Sequence, residues 1–195
     1  MTSTKNKRPL SRKIAFCAIF TALIAVGAQI TVPMEPIPFT LQTLFVMMAG
    51  LLLKPSWSAV SAAVYMALGL VGAPVFAGFM GGAGTVFSPS FGFIIGFIAG
   101  APVMGIVAAK LPAKTETLWR MFISAVAGLI PVYLIGCVYM HVILTAYLHM
   151  DGITVGAILN MGLIPFIPVE CMKMIVACGL ASKLRVPLNK QLSAD

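Results

Sequence analysis

The sequence predicts an all-α integral membrane protein in which six transmembrane helices form one bundle, with both termini in the cytoplasm. Three observations support this fold class. Hydrophobic residues make up 60% of the chain and charged residues 9%, whereas a soluble domain carries about 25% charged residues. The hydrophobic residues fall in runs close to the roughly 20 residues that cross a bilayer. The basic residues lie almost entirely in alternate connections between these runs.

Six apolar runs, bounded by charges, prolines and glycines, are the predicted helices. They cover residues 14–32, 38–53, 56–72, 91–110, 118–145 and 161–182. The second run is short for a full crossing, and the fifth is long enough to tilt or to end in an interfacial turn. We therefore predict a single membrane domain, 1–195, that consists of a basic cytoplasmic N-terminus (1–13), a six-helix bundle (14–182) and a cytoplasmic tail (183–195).

The positions of lysine and arginine predict the orientation of the chain. If the N-terminus is cytoplasmic, twelve of the thirteen basic residues fall at the termini or in the cytoplasmic connections. The outer connections, 33–37, 73–90 and 146–160, contain neither lysine nor arginine. We therefore predict a multi-pass membrane protein that is surrounded by lipid and has both termini in the cytoplasm. The net charge of +8 is spread over short loops, so it does not indicate nucleic-acid binding.

Glu170 and Lys173 are the only charged residues in the interior of a predicted span, since Lys110 and Arg120 lie at span ends. Either charge alone costs about 2.5–3.5 kcal/mol at a helix centre. Their i, i+3 spacing places them on one helix face, where they can pair with each other or together bind a polar ligand. Pro165 and Pro168 predict that the regular helix starts near 168, which puts Glu170 in its first turn and the pair in the outer third of the membrane. A purely structural ion pair is the alternative.

The connection between the third and fourth runs, residues 72–92, is uncharged and rich in glycine. Irregular backbone at membrane depth is tolerated where it is buried in protein or lines a cavity. The segment is therefore predicted to be the lid or wall of a ligand site, with a re-entrant loop that binds nothing as the alternative. Phe39, Thr40 and Gln42 form a second predicted rim over an apolar pocket. No Gly-Lys-Ser/Thr sequence follows the glycines, so we predict no ATP site on this chain.

Small residues follow one another along the first span at helical spacing, which allows another helix to approach closely. They are Ala15, Ala18, Ala22 and Ala25. From composition alone, a partner helix within this chain is favoured over another protein. The four cysteines lie in apolar runs without metal-ligand spacing, so neither a metal site nor a cofactor is predicted. They are Cys17, Cys137, Cys171 and Cys178.

Taken together, these segments resemble the BioY family, the biotin-specific substrate-binding (S) components of energy-coupling-factor (ECF) transporters. The resemblance covers nearly the whole chain. It rests on IPFTLQTLFVMMAGLLL at 37–53, GLVGAPVFAG at 69–78, the glycine-rich connection, SPSFGFIIGF at 88–97 and the acid-xx-Lys pair of the last run. Two stretches depart from the family pattern. Residues 88–93 read Ser-Pro-Ser-Phe-Gly-Phe where the family has Gly-Pro-Thr-x-Gly-Tyr, and residues 168–173 read Pro-Val-Glu-xx-Lys where it has Pro-Gly-Asp-xx-Lys. Phe93 therefore lacks the tyrosine hydroxyl, and Glu170 is one methylene longer than the family's aspartate.

The resemblance implies a membrane subunit that captures biotin from outside and docks on a transmembrane coupling (T) protein driven by two ATPase subunits. Such a subunit binds the vitamin for uptake and is not an enzyme. Ala18 and Ala22 would be the docking residues. The implied biotin-binding residues are Phe39, Thr40, Gln42, Phe76, Gly78, Gly82, Phe87, Gly92, Phe93, Glu170 and Lys173. The sequence leaves open whether Lys173 pairs with Glu170 or with the carboxylate of biotin.

Three other functions compete with biotin capture. An S component for another small vitamin, such as thiamin or riboflavin, would share this architecture. An intramembrane enzyme with Glu170 as its base is disfavoured, because one acid and one lysine form no recognisable nucleophile–base arrangement. A structural scaffold predicts that changes at Glu170 and Lys173 alter stability alone.

Overall fold

The computed structural model describes residues 10–112, 117–150 and 152–193, with side chains described as far as Leu184. These residues form seven α-helices: α1 (Leu10–Gln29), α2 (Gln42–Leu52), α3 (Pro55–Leu70), α4 (Phe91–Lys110), α5 (Thr117–Val142), α6 (Val155–Gly162) and α7 (Ile167–Ser193). Some of the basic residues that predict the orientation lie outside the described part of the chain. They are Lys5, Lys7, Arg8 and Lys114, together with the side chains of Arg185 and Lys190.

Four helical stretches of the described chain are long and apolar enough to cross a membrane. They are Leu10–Gln29, Phe91–Lys110, Thr117–Tyr147 and Val155–Leu184. The 11 residues of α2 rise only about 16 Å at 1.5 Å per residue, so the second helix is short, as predicted. The 16 residues of α3 rise about 24 Å. The bundle therefore combines four full-length helical stretches with two shorter helices.

A small β-hairpin that the sequence did not predict lies between α1 and α2. α1 ends at Gln29, and β1 (Thr31–Val32) then pairs antiparallel with β2 (Phe39–Thr40). The predicted limits of the first two helices, residues 32 and 38, were therefore wrong. Three prolines in this connection restrict φ and disfavour helical backbone at the residues before them, so the chain stays extended.

The predicted sixth run, 161–182, corresponds mainly to α7, and a short helix that was not predicted precedes it. The short α6 occupies Val155–Gly162, a 3₁₀ turn follows at Ile164–Phe166, and α7 runs from Ile167 to Ser193. The prediction that the regular helix starts near 168 is confirmed. The predicted end at 182 was too early, because the helix continues to 193 without a break in its backbone. A π-helical turn at Ile143–Tyr147 ends α5, in agreement with the predicted terminal turn of the long fifth run.

α4 and α5 pack so closely that only glycine fits at their crossing. A Cβ atom at Gly100 would lie 2.5 Å from the carbonyl oxygen of Gly128, and one at Gly96 would lie 2.7 Å from the carbonyl oxygen of Val132. Small residues allow this close approach between helices in membranes. The close packing consequently fixes α4 and α5 relative to each other.

The connections that follow α1, α3 and α5 meet at the same end of the bundle. Phe39 of the first packs against Phe166 of the 3₁₀ turn before α7, with ring centroids 4.3 Å apart. Phe87 of the second stacks on Tyr147 at the end of α5, at 4.6 Å. We call residues 71–90, the second connection, the cover. It contains two 3₁₀ turns, Ala77–Phe79 and Ala83–Phe87.

Candidate functional site

A cavity of about 190 Å³ lies beneath the cover. Its walls come from the first connection, the starts of α2, α4 and α7, and the middle of α5. The lining residues are Pro36, Ile37, Pro38, Thr40, Gln42, Thr43, Phe76, Ala77, Met80, Thr85, Ser88, Ser90, Phe91, Phe93, Ile94, Phe97, Tyr133, Phe166, Glu170 and Lys173. The aromatic walls and the few polar groups are typical of a site for a small, largely apolar ligand with defined polar ends.

Lys173 is held entirely by oxygen atoms of the protein. Its Nζ donates to Oε1 of Glu170, to the hydroxyl of Thr43 at 2.5 Å and to the carbonyl oxygen of Thr40 at 3.1 Å. An ammonium group has three N–H donors, so this network uses all of them. Lys173 is 6% exposed. In this arrangement the lysine is the counter-charge of Glu170 and has no donor left for another acceptor.

Glu170 has one oxygen bound and one oxygen free. Oε1 accepts from Lys173 and, at 2.8 Å, from the hydroxyl of Thr43. Oε2 is buried and has no hydrogen-bond partner among the described residues, although the side chain is only 5% exposed. A buried acceptor without a partner costs free energy, and a carboxylate oxygen can only accept when ionised. Glu170 and Tyr133 both line the cavity, and the hydroxyl of Tyr133 interacts with the Glu170 carboxylate. Because Oε2 makes no hydrogen bond of ordinary geometry, it can accept an N–H or O–H group of a ligand in the cavity.

The starts of two helices bring this cluster together. Glu170 lies in the first turn of α7, where the helix dipole favours a negative charge. Pro168 is tolerated at the second residue of that helix because an N–H there has no partner within the helix. Thr43 lies in the first turn of α2, and Thr40 is the last residue of β2. The unpredicted hairpin thus places the Thr40 carbonyl opposite the Lys173 ammonium.

Gln42 lines the cavity, but both ends of its side-chain amide are hydrogen-bonded to other residues of the protein. Its Nε2 donates to the hydroxyl of Tyr65, which donates in turn to the carbonyl oxygen of Val75 at 3.2 Å. Its Oε1 accepts from the hydroxyl of Thr40 at 3.1 Å. Gln42 is 7% exposed and Tyr65 is fully buried. This chain of hydrogen bonds joins the floor of the cavity to the start of the cover.

Six of the residues that the resemblance assigned to the site line the cavity. They are Thr40, Gln42, Phe76, Phe93, Glu170 and Lys173.

Five of the assigned residues do not line the cavity, and each has another role. Phe39 packs on the ring of Phe166, which lines the cavity in its place. Gly78 and Gly82 lie in the cover at φ of 70° and 95°, where glycine avoids the strain of a side chain. Phe87 is 50% exposed and stacks on Tyr147. Gly92 is buried, and a Cβ atom there would lie 2.2 Å from Cβ of Tyr139.

Thr43 was not predicted as a site residue, and Tyr133 was predicted to have no role in the site. Thr43 directly follows the predicted Gln42, but only the rotation of α2 shows that its hydroxyl lies between Lys173 and Glu170. Tyr133 lines the cavity from α5 together with Glu170. A tyrosine inside an apolar span was a usable signal, because its hydroxyl needs a partner when buried. Thr85, Ser88 and Ser90 also line the cavity. The Thr85 hydroxyl donates to the carbonyl oxygen of Gly82 at 2.7 Å, and the hydroxyls of Ser88 and Ser90 hydrogen-bond to each other at 2.9 Å.

Ala18 and Ala22 lie on the outside of the bundle. Both are exposed, as are the neighbouring Ile19 and Val26. The two alanines therefore do not mediate packing within this chain, which was the interpretation that composition favoured. The face of α1 that carries them is available to lipid or to another protein.

In sequence, the chain is similar to known biotin transporters. The model of the BioY family matches residues 1–190. A biotin transporter of Thermotoga maritima is 37% identical over 174 residues, which cover 89% of this chain and 96% of that relative. A biotin transporter of Lactococcus lactis subsp. cremoris is 30% identical over 187 residues, with 95% and 94% covered.

One solved structure is similar over nearly the whole fold. The crystal structure of the S-component for biotin from an ECF-type ABC transporter matches with a TM-score of 0.76 and 26% identity, over 95% of this chain and 94% of that one. This similarity confirms the S-component-like helical bundle that the resemblance predicted.

Proposed function

This chain belongs to the BioY family, and from that premise we propose that it is the substrate-binding membrane subunit of a biotin uptake transporter. The observation that carries the proposal is Glu170, a buried carboxylate that lines the cavity beneath the cover and whose Oε2 makes no hydrogen bond of ordinary geometry among the described residues. The transporters to which the chain is similar are named for biotin.

The chemistry of biotin matches the polar groups of the cavity. Its ureido ring carries two N–H donors, and Oε2 of Glu170 can accept one of them in a charge-assisted hydrogen bond. The fused rings of biotin are mostly apolar and suit aromatic walls such as Phe76, Phe91 and Phe97. Ser88 and Ser90 share a single hydrogen bond, so one of their two hydroxyls keeps a donor for a polar atom of the ligand. The Thr85 hydroxyl donates to Gly82 and can still accept.

We assign Lys173 to Glu170 rather than to the carboxylate of biotin. All three donors of Lys173 already meet protein oxygens, so a ligand carboxylate would have to displace one of them. The lysine balances the charge of Glu170 and fixes its Oε1, which leaves Oε2 directed to the ligand. The carboxylate tail of biotin then lies towards the cover, away from the ion pair.

The assembly that we propose is an ECF-type transporter. Biotin enters from the outside, both termini lie in the cytoplasm, and the protein resides in a prokaryotic plasma membrane. Ala18 and Ala22 dock on a transmembrane coupling protein that is driven by two ATPase subunits. The exposure of both alanines on α1 supports this role. ATP is hydrolysed by the partner subunits, and this chain needs no cofactor.

Calorimetric titration of the purified chain with biotin tests the proposal. We expect the wild type to bind biotin, and thiamin or riboflavin not to compete. Glu170→Gln should weaken binding by about 10- to 100-fold, because one charge-assisted hydrogen bond is lost. Glu35→Gln is the matched control, since Glu35 is an exposed acid of the first connection. A folded wild type that gives no heat with biotin would overturn the proposal.

A further inference from the structure

Three side chains from three helices hold the backbone of the cover. The hydroxyl of Tyr65 on α3 donates to the carbonyl oxygen of Val75 at 3.2 Å. The hydroxyl of Tyr139 on α5 donates to the carbonyl oxygen of Val86 at 2.5 Å. The third is Gln29, the last residue of α1, which contacts the stretch between these two points. Neither the resemblance nor the cavity lining assigns a role to Gln29.

Gln29 makes two hydrogen bonds of opposite direction to the cover. Its Nε2 donates to the carbonyl oxygen of Phe76 at 3.1 Å, and its Oε1 accepts from the backbone N–H of Phe79 at 2.9 Å. Both ends of one amide are thus used on backbone groups three residues apart. Exchanging the amide oxygen and nitrogen would break both bonds, so the geometry fixes the orientation of the side chain.

The backbone that Gln29 holds is in an uncommon conformation. Phe79 has φ of 58° although it is not glycine, and it follows Gly78 at φ of 70°. The Phe79 side chain is 70% exposed, so packing does not impose this conformation. Non-glycine residues rarely occupy this region unless surrounding contacts keep them there. The bond from the Phe79 N–H to Gln29 is such a contact.

The same stretch of backbone closes the cavity. Phe76, Ala77 and Met80 line it from above, and the Phe76 ring is 4% exposed. The two Gln29 bonds flank the turn at Ala77–Phe79. A ligand in the cavity can leave on this side only if the turn moves, and such a movement breaks both bonds.

We propose that Gln29 is the positioning residue that keeps the cover closed and so sets the rate at which ligand leaves the cavity. Tyr65 is fully buried and binds the cover at its start, whereas Gln29 is half-buried and acts at the turn itself. Two neutral hydrogen bonds near the surface are weak enough to break and form again repeatedly. The effect on release rests on the proposed function, while the effect on the cover does not.

The experiment compares three variants of the full-length chain in detergent. Gln29→Met removes both bonds and keeps the length of the side chain, and Gln29→Glu keeps the acceptor for Phe79 but loses the donor to Phe76. Val26→Met is the control, because Val26 is exposed on the same helix one turn earlier. Two quantities are measured: the dissociation and association rates of radiolabelled biotin, and the backbone hydrogen exchange of residues 76–82 without ligand.

We expect Gln29→Met to release biotin about tenfold faster or more, with an association rate that is not reduced. Hydrogen exchange at 76–82 should be faster in that variant, Gln29→Glu should be intermediate, and Val26→Met should match the wild type. If Gln29→Met does not fold, the comparison of Gln29→Glu with Val26→Met decides whether Gln29 holds the cover. Wild-type release and wild-type exchange in the folded variants would overturn the inference. If the wild type binds no biotin, the proposed function fails, and the exchange experiment alone still decides whether Gln29 holds the cover.

Discussion

The ion pair of Glu170 and Lys173 has a structural and a binding role, and a double-mutant cycle separates them. Lys173→Met leaves the buried Glu170 without a counter-charge, with only the hydroxyl groups of Thr43 and Tyr133 beside it. Removal of one partner from a buried pair costs about 3–5 kcal/mol. For a chain of this length, each kcal/mol shifts the unfolding temperature by about 2–4 °C, so we expect a fall of about 10 °C.

The second change, Glu170→Gln, should restore stability in the double variant. With both charges removed, no buried ion is left without a partner, and such replacements are often nearly neutral. The double variant should therefore unfold above Lys173→Met alone. It should still bind biotin poorly, because the carboxylate acceptor is missing. A scaffold without a ligand predicts no binding in any of the four proteins.

Thermal unfolding and calorimetric titration of the four proteins provide the measurements. Lys183→Met is the matched control, since Lys183 is an exposed lysine farther along α7, and it should leave both quantities unchanged. A double variant as unstable as Lys173→Met would contradict the ion-pair reasoning. A double variant with wild-type affinity for biotin would contradict the binding role of Glu170.

Three further predictions follow from the structure. Thr43→Val should lower the unfolding free energy by about 1–3 kcal/mol, because Lys173 and Glu170 both lose a hydrogen bond, and Thr43→Ser should restore it; equal unfolding of both variants would contradict this. Ala18→Trp and Ala22→Trp should abolish co-purification with a coupling protein while biotin binding persists; loss of binding would show that these alanines act on the fold. Gly100→Leu should destabilise the bundle strongly in thermal unfolding, because its Cβ alone would lie 2.5 Å from a carbonyl oxygen; a stable variant would contradict the close α4–α5 crossing.

The helices were predictable wherever their sequences end in clear signals. Pro165 and Pro168 located the start of α7 to within one residue, because proline is confined to the first turn of a helix. The short α6 could not be foreseen, since most of its eight residues lie in the predicted outer connection 146–160, which shows no helix-start signal as clear as the prolines before α7. The hairpin at 31–40 was also missed, because a strand of two residues leaves no recognisable period.

The charged pair of the site was predictable, and its surroundings were not. Two charges within an apolar span stand out in any sequence, and their spacing alone places them on one face. Which neighbours face them depends on how α2 and α5 are rotated, which explains why Thr43 was missed and Tyr133 was given no site role. Phe39 and Thr40 are adjacent, yet only Thr40 reaches the cavity, since successive side chains of a strand point to opposite sides.

The central claim is that Oε2 of Glu170 accepts a hydrogen bond from a ureido N–H of biotin. The most direct test changes both partners of this hydrogen bond, the ligand and the protein, alone and together. The affinity of biotin is compared with that of two analogues, each with one ureido N–H replaced by oxygen, for the wild type and for Glu170→Gln. We predict that one analogue loses about 10- to 100-fold in affinity for the wild type and little further for Glu170→Gln. Equal losses in both proteins would contradict the claim, because the N–H group would then bind elsewhere.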